Sequence, residues 1–522
     1  MLPATHRCVR PIGRSARRSS VACTEQHVSS ANITTGDDTG RDLGRIILRN
    51  TIALTIGGWI TRLLNFVFII YAVRMLGDEG LGKYATIVAF VGLFGVFFEL
   101  GLSQFVERNI AQGRKNASDL FWNLFALRMI LAIVGVVAIT LLAAAIGYEQ
   151  QLVLGILLFT LTFVFAAFAT PLTTLLTANE RFDLSTAIGL VTQIVNIAAG
   201  LFFLLTGSGF MALVYTGFVA MPVQIGLTYW TVRRFNFGPP PFRIDFGSWR
   251  GFIVAALPFG LTSLALVFNF NVDTVIIGWF HPDSDVGLYN AAYRLVFNAV
   301  GIMGGFMVAI TPSLAREHMT DPERVRRWVR ASTHWLVLFT LPAAAGLSLL
   351  APRVIRLLYG AQFDAAWPAL AIIAWDIPLL MLLAFFGNVT AAVGLEKPAA
   401  KIYLVASAVN LALNLALIPL FGILAAAAVT IVTDVITGVL FLALLRDQLE
   451  LRRTSGAYLR MVLATGAMAL IVWVANPLPL AVVIGMGTLA FIVFALALGL
   501  VDRSLTDALL RRVRRRSLEA FP

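Results

Sequence analysis

From Asn50 to about residue 501 the chain is a succession of long apolar runs separated by short polar breaks. A bilayer core about 30 Å thick asks for about 20 apolar residues of helix per crossing. By that measure there are fourteen runs, at residues 50–73, 81–101, 121–147, 152–177, 186–205, 211–232, 252–280, 287–314, 331–350, 366–392, 402–421, 424–445, 459–475 and 480–501. Only a helix or a closed barrel satisfies its backbone inside lipid. Runs of this length therefore predict an all-α integral membrane protein with about fourteen transmembrane helices.

The basic residues test that count, because Lys and Arg concentrate in cytoplasmic loops. Of the 40, 33 fall in the N-terminal tail, in or at the edges of the loops that follow even-numbered spans, and in the C-terminal tail. Four lie in the alternate loops (Arg74, Lys83, Arg353, Arg356) and three inside spans (Arg62, Arg128, Arg294). A miscounted helix would invert the bias beyond it, so the pattern predicts a multi-pass protein of the inner (plasma) membrane with both termini cytoplasmic.

Composition adds to this only in part. With 59% hydrophobic and 13% charged residues, against about 25% charged in soluble domains, a water-soluble globule is excluded. The net charge of +12 would suggest nucleic acid in a soluble protein, but here it is mainly the orientation signal. Both cysteines, Cys8 and Cys23, lie in the N-terminal tail, and the five histidines show no metal-binding spacing. No disulfide framework, metal centre or cofactor is expected.

Residues 1–49 are rich in Arg and Ser and lack the apolar core of a signal peptide. They read as a disordered cytoplasmic tail or an over-extended gene start. Residues 502–522 form a basic cytoplasmic tail that places Leu505, Leu509, Leu510 and Val513 near one helical face. It either lies on the anionic inner leaflet or is a solvated charge run.

An internal repeat is visible. GLGKYATIVAF follows span 1 and VGLYNAAYRLVF follows span 7, aligning Gly82 with Gly287 and Tyr84 with Tyr289 at one offset of 205. A weaker echo links LLTANERF (175–182) with TAAVGLEKP (390–398). The expected organisation is an N-lobe at 50–232, a cytoplasmic linker at 233–251, a C-lobe at 252–445 and two added spans at 459–501. Spans 1 and 7 run the same way, so the two six-helix lobes are parallel repeats that can rock about a central cavity. The alternative is chance similarity between small-residue motifs.

Seven charges fall inside the spans: Arg62, Glu99, Arg128, Asp273, Arg294, Asp376 and Asp434. Each costs roughly 2.5 to 3.5 kcal/mol at mid-span, so they should face protein or water. Asn290, Arg294 and Asn298 recur at i, i+4 and i+8, and Thr430, Thr433, Asp434 and Thr437 at i, i+3, i+4 and i+7. Thr170, Thr173, Thr174 and Thr177 form a similar stripe, and Thr55, Arg62 and Asn65 align in span 1. Arg62, Arg128, Asn290, Arg294 and Asn298 are candidate substrate-binding residues, the arginines because guanidinium suits phosphate. Asp376 and Asp434 are candidates for proton or cation coupling, with hydrogen-bonded packing against threonine as the alternative. Asp273 and Arg294, about equally deep on either side of one hairpin, are expected to form a structural pair. Glu99 reads as a rim residue, and Pro258 with Gly260 as a candidate hinge.

NFNVDTVIIGWFHPDSDVGLYNAAYRL (269–295), LGDEGLGKYA (76–85) and AAVGLEKP (391–398) resemble the recurring segments of Wzx-type polysaccharide and oligosaccharide flippases. These belong to the multidrug/oligosaccharidyl-lipid/polysaccharide exporter superfamily. The resemblance spans residues 50–500 and is carried most specifically by the hairpin containing Asp273, Tyr289 and Arg294. It implies a two-lobed MATE-like fold that moves a lipid-linked (polyprenyl pyrophosphate) oligosaccharide across the bacterial inner membrane by alternating access, coupled to a cation. Glycan polymerase and glycosyltransferases are candidate partners beside membrane lipids, and nucleic acid is not. A multidrug exporter or a peptidoglycan-precursor flippase would share the fold. A membrane glycan polymerase would need catalytic groups in a large outer loop, whereas residues 351–365 are short and offer only Asp364 as an acid. A transporter, not an enzyme, is expected.

Overall fold

The computed structural model describes residues 38–99, 102, 117–179, 181–235, 244–303, 322–446 and 451–500. The backbone groups into two units, 1–48 and 49–522. In the first, residues 38–48 are helical, so the helix begins well inside the stretch expected to be disordered. Leu43, Ile46 and Ile47 sit there at helical spacing with no proline to stop the turn. The rest of the description concerns the second unit.

Every element among the described residues is helical. In order they are α1 (Asp38–Glu99), α2 (Ala117–Ile146), α3 (Gln150–Ala178), α4 (Phe182–Leu205), α5 (Met211–Arg234), α6 (Phe246–Phe280) and α7 (Asp283–Met303). There follow α8 (Pro322–Tyr359), a 3₁₀ turn (Ala361–Ala366), α9 (Trp367–Ile373), α10 (Asp376–Ala392), α11 (Glu396–Leu444), α12 (Leu451–Val474) and α13 (Leu480–Ala497).

Two of these helices are double. The backbone of α1 breaks at Gly77 (φ 73°) and that of α11 at Gly422 (φ 58°), a left-handed region that favours glycine. The segment Ala361–Ile373 meets α10 at a bend of 48°. Nine helices among the described residues are long and apolar enough to cross a membrane, or ten if the bent pair is one span. Counting both arms of α1 and α11, and adding α6 and α7, recovers the fourteen expected spans. Several helices start earlier than the expected runs, as α6 does at Phe246 and α8 at Pro322, and the shift that matters for the site is in α7, which begins at Asp283, four residues before the expected start of span 8. Asp283 and Asp285 lie in its first turn, where acids complement the exposed N–H groups of a helix start.

The helices pack mainly within each half of the chain. α4 lies on α5, α2 on α3 and α3 on α5, while α11 receives α6 and α10, and α10 also packs on α8. α12 and α13 pair with each other, and α12 docks on α8 through Ala345, Leu350, Met468 and Val472.

The short connections gather at one end, called here the turn end. Trp279 Nε1 donates to the Tyr148 hydroxyl at 3.0 Å, and His281 Nε2 contacts the Ile418 carbonyl at 2.8 Å. Arg353 bonds Asn476 and Leu478 carbonyls, tying the α12–α13 turn to α8. Arg356 bonds Asp364 and holds that carboxyl below its usual range. The opposite end, called the basic end, carries Arg181, Arg233, Arg234 and Arg330.

Candidate transport site

The two halves of the chain meet at the turn end through their repeat-equivalent glycines. A Cβ placed on Gly82 would overlap the Asp283 carbonyl oxygen and stand 3.1 Å from the Gly287 nitrogen. A Cβ on Gly287 would overlap the Asp78 carbonyl oxygen and stand 3.1 Å from the Gly82 nitrogen. Asp78 and Asp283 are themselves 205 residues apart, so the contact is self-complementary, as at a two-fold axis. Small residues allow such backbone approach between membrane helices. Arg74 extends the closure by donating to the Leu357 and Leu358 carbonyls, and Gln362 returns a bond to the Arg74 carbonyl.

Toward the basic end the exposure of the α1 stripe changes, although the halves also touch there, where the Asn123 side-chain oxygen of α2 accepts from the Asp245 N–H and Trp249 Nε1 at the start of α6. Gly58, Arg62, Asn65, Ile69 and Val73 form one stripe of α1. Ile69 and Val73, near the turn end, are buried in a cluster with Val272, Ile276 and Tyr289 of the other half. Arg62 and Asn65, further down the same stripe, are exposed. The opposite face of α1 carries exposed Ile56, Ile60, Leu63 and Val67, the apolar surface a lipid-facing helix needs. A guanidinium cannot face hydrocarbon cheaply, so the Arg62 side of α1 should look into a gap between the halves and not into lipid. There an Arg62 nitrogen donates to the Gly301 carbonyl of α7.

On the second half, three acids gather. Asp273 of α6 is buried, and its carboxylate accepts the Tyr289 hydroxyl and the Thr274 N–H. Asp376, fully buried where α10 starts after the bend, has no hydrogen-bond donor on either oxygen among the described residues. The Asp434 carboxyl of α11 faces it within hydrogen-bonding reach. Two carboxylates can share a hydrogen bond only when one holds a proton, and repel unless a proton or cation lies between them. Beside them the Asn410 amide donates to Thr433 at 3.2 Å and the Asn414 amide to Asn410 at 2.9 Å, and the buried Asn414 carbonyl oxygen has no hydrogen-bond partner among the described residues. Tyr293 lies within electrostatic reach of all three acids. Sequence reasoning did not select Tyr293 or Asn414, although Tyr293 lies one helical turn from Tyr289, which it noted.

The expected Asp273–Arg294 pair is corrected. Arg294 lies over the ring of Tyr84, 5.7 Å from its centroid, while Asp273 is satisfied by Tyr289. The reason is the early start of α7, which brings Tyr289, not Arg294, opposite Asp273. Asn290 spends its amide on Thr274 and the Val286 carbonyl, and Asn298 on the Arg294 carbonyl. The Asn290–Arg294–Asn298 stripe is present as a face of α7, with both amides donating within the α6–α7 hairpin. Tyr289→Phe is expected to lower thermal stability in detergent by about 1 to 3 kcal/mol, because it strands a buried acceptor. Asp273→Asn keeps an acceptor and should cost less, and equal melting temperatures for both variants and the parent would refute the pairing.

The other candidates separate by exposure. Arg128 of α2 is buried, beside leucines that pack against Trp249 and Phe252 at the start of α6. The threonines of the α3 and α11 stripes donate to carbonyls one turn back, as Thr170 does to Ala166 and Thr437 to Thr433. The helix α6 continues through Pro258 and Gly260, and the backbone breaks fall at Gly77 and Gly422 instead. The side chains of Glu99, Pro258 and the C-terminal tail lie outside the described ones.

The polysaccharide biosynthesis protein family matches residues 47–318, over half of the chain. The chain belongs to that family. The MatE family also matches, over residues 258–416. Among relatives of the polysaccharide biosynthesis type, the probable low-salt glycan biosynthesis flippase Agl15 of Haloferax volcanii is 22% identical over 76% of this chain and 82% of its own. The succinoglycan biosynthesis transport protein ExoT of Rhizobium meliloti is 23% identical over 60% of this chain and 62% of its own. In structure the chain is similar to the lipid II flippase MurJ in an inward closed conformation, with a TM-score of 0.71 at 16% identity over 87% of this chain and 100% of that one. It is also similar to a multidrug resistance MATE family transporter in an inward-facing conformation, with a TM-score of 0.58 at 16% identity over 78% and 99%. These likenesses show that this member of the polysaccharide biosynthesis protein family has a MATE-like, multi-pass membrane fold.

Proposed function

We propose that the protein flips a lipid-linked oligosaccharide, carried on polyprenyl pyrophosphate, across the bacterial inner membrane by alternating access. The observation that carries this reading is the stripe of α1 that is buried at the turn end and exposed at Arg62 and Asn65, which fits a transporter closed on one side and open on the other. Assigning the basic end to the cytoplasm, as the positive-inside rule supports, makes the open side the one on which the substrate is assembled, with both termini cytoplasmic. The N-lobe is then 50–232, the linker 233–251, the C-lobe 252–445 and the added spans 459–501. Arg62 offers its charge to the pyrophosphate, and the Asp376–Asp434 pair couples the cycle to a proton or cation. A MATE-type drug exporter would use the acids equally well, but the charged group exposed in the gap is an arginine, which suits an anionic substrate. A glycan polymerase and glycosyltransferases fit as partners because the product of one would be the cargo of the next.

Deleting the gene is expected to remove a surface polymer and leave its lipid-linked repeat unit in the inner leaflet. Normal polymer in the deletion strain would overturn the reading.

A further inference from the structure

The two halves of the chain line their gap with different chemistry. The second half holds the acids, whereas the first half presents mainly uncharged amides and hydroxyls, and they converge between α1 and α4. These helices run side by side: a Cβ on Gly57 would overlap Thr186, and Gly200 packs against Phe68 within the buried cluster that joins them. Between those two contacts the Gln193 amide of α4 reaches the Asn65 carbonyl oxygen of α1 at 3.4 Å.

The rotational setting of α4 shows which way this wall faces. Its exposed apolar residues, Val191, Ile194, Phe202 and Leu205, form one face. Ser185, Gly189, Thr192 and Asn196, spaced at i, i+4, i+7 and i+11, form the opposite one. Gly189 on that face is exposed, and nothing stands within 4 Å of a Cβ built there. Asn196 makes no hydrogen bond to any other described side chain or backbone group. An uncommitted amide turned to lipid would be costly, and α4 already has its lipid face. The polar faces of α1 and α4 therefore bound the same wet surface, with Arg62 three residues from Asn65.

Resting on the flippase reading, we infer that this α1–α4 wall is where the sugar portion of the cargo is recognised, with Gln193 and Asn196 as specificity-determining residues. Side-chain amides carry both donors and acceptors, which matches the hydroxyls and carbonyls of a glycan and places no charge against it. Arg62 at one edge of the wall holds the anionic linkage, so the sugars nearest the pyrophosphate lie over Asn65 and Gln193.

The test uses a strain deleted for the gene and complemented with full-length protein, fed radiolabelled glucose so that the lipid-linked glycan carries the label. A photo-crosslinking benzoylphenylalanine replaces Gly189 on the polar face or Ile194 on the apolar face. Labelled adduct is expected at position 189 at about fivefold or more the yield at 194. In the same strain Gln193→Leu and Asn196→Leu should each slow polymer export about fivefold to tenfold, as loss of a sugar hydrogen bond predicts, at unchanged protein levels. Gln193→Asn should recover part of the rate. Equal labelling at 189 and 194, or wild-type export by both leucine variants, would overturn the inference while leaving the flippase reading intact. Failure of that reading is seen separately, as unchanged polymer in the uncomplemented deletion strain.

Discussion

Gly82→Ala and Gly287→Ala should each abolish most polymer export while leaving protein levels near normal. Each added methyl lands on a backbone carbonyl of the other half, Asp283 in one case and Asp78 in the other, and backbone cannot step aside as a flexible side chain can. Overpacking of this kind costs roughly 1 to 3 kcal/mol, which lowers the ratio of closed to open turn end about 5- to 150-fold. The effect is conformational because the contact exists only when the halves touch. It can be read directly with a cysteine at Ile69, which is buried beneath the contact, since the natural cysteines, Cys8 and Cys23, lie in the N-terminal tail. A membrane-impermeant maleimide added from the turn-end side should label Ile69→Cys faster in either alanine background. Unchanged labelling with full export would show that the glycine contact is incidental.

The second large effect is expected at the acid pair. Asp376→Asn and Asp434→Asn should each reduce export about tenfold or more, a loss on the scale of removing one buried charged partner, again without loss of protein. The two should not add: the double variant should transport no worse than the poorer single one, because one shared proton or cation is lost in every case. Full activity in both single variants would remove the pair from the mechanism. Additive losses would mean that the carboxyls act separately and would refute the shared site.

How far the sequence reached differs between fold and site. The fourteen spans were legible because hydrophobicity over 20 residues is a local property, and Gly77 and Gly422 divide α1 and α11 between the expected runs. The 205-residue repeat was legible as Gly82 and Gly287, yet nothing in either motif says that the two glycines touch. The boundary of α7 was misplaced because Asp283 and Asp285 look like loop residues but serve as a helix start, and that one turn moved Asp273 from Arg294 to Tyr289. Arg62 and Arg128 read alike, as intramembrane arginines without a partner. One is exposed and the other is buried, a difference set by neighbouring helices and not by either residue's own surroundings in the chain.

By itself, then, the sequence determined that this is a helical membrane protein of about fourteen spans, built from a parallel repeat, with a small set of charges held inside the bilayer. Tertiary structure alone decided which of those charges meet. Asp376 opens α10 just after the 48° bend and Asp434 lies on the second arm of α11, a full span further along, while Asn65 and Gln193 are 128 residues apart. Hydropathy sets where a helix crosses, but the rotation of each helix about its axis is set by the packing of its neighbours, and rotation is what aims a side chain.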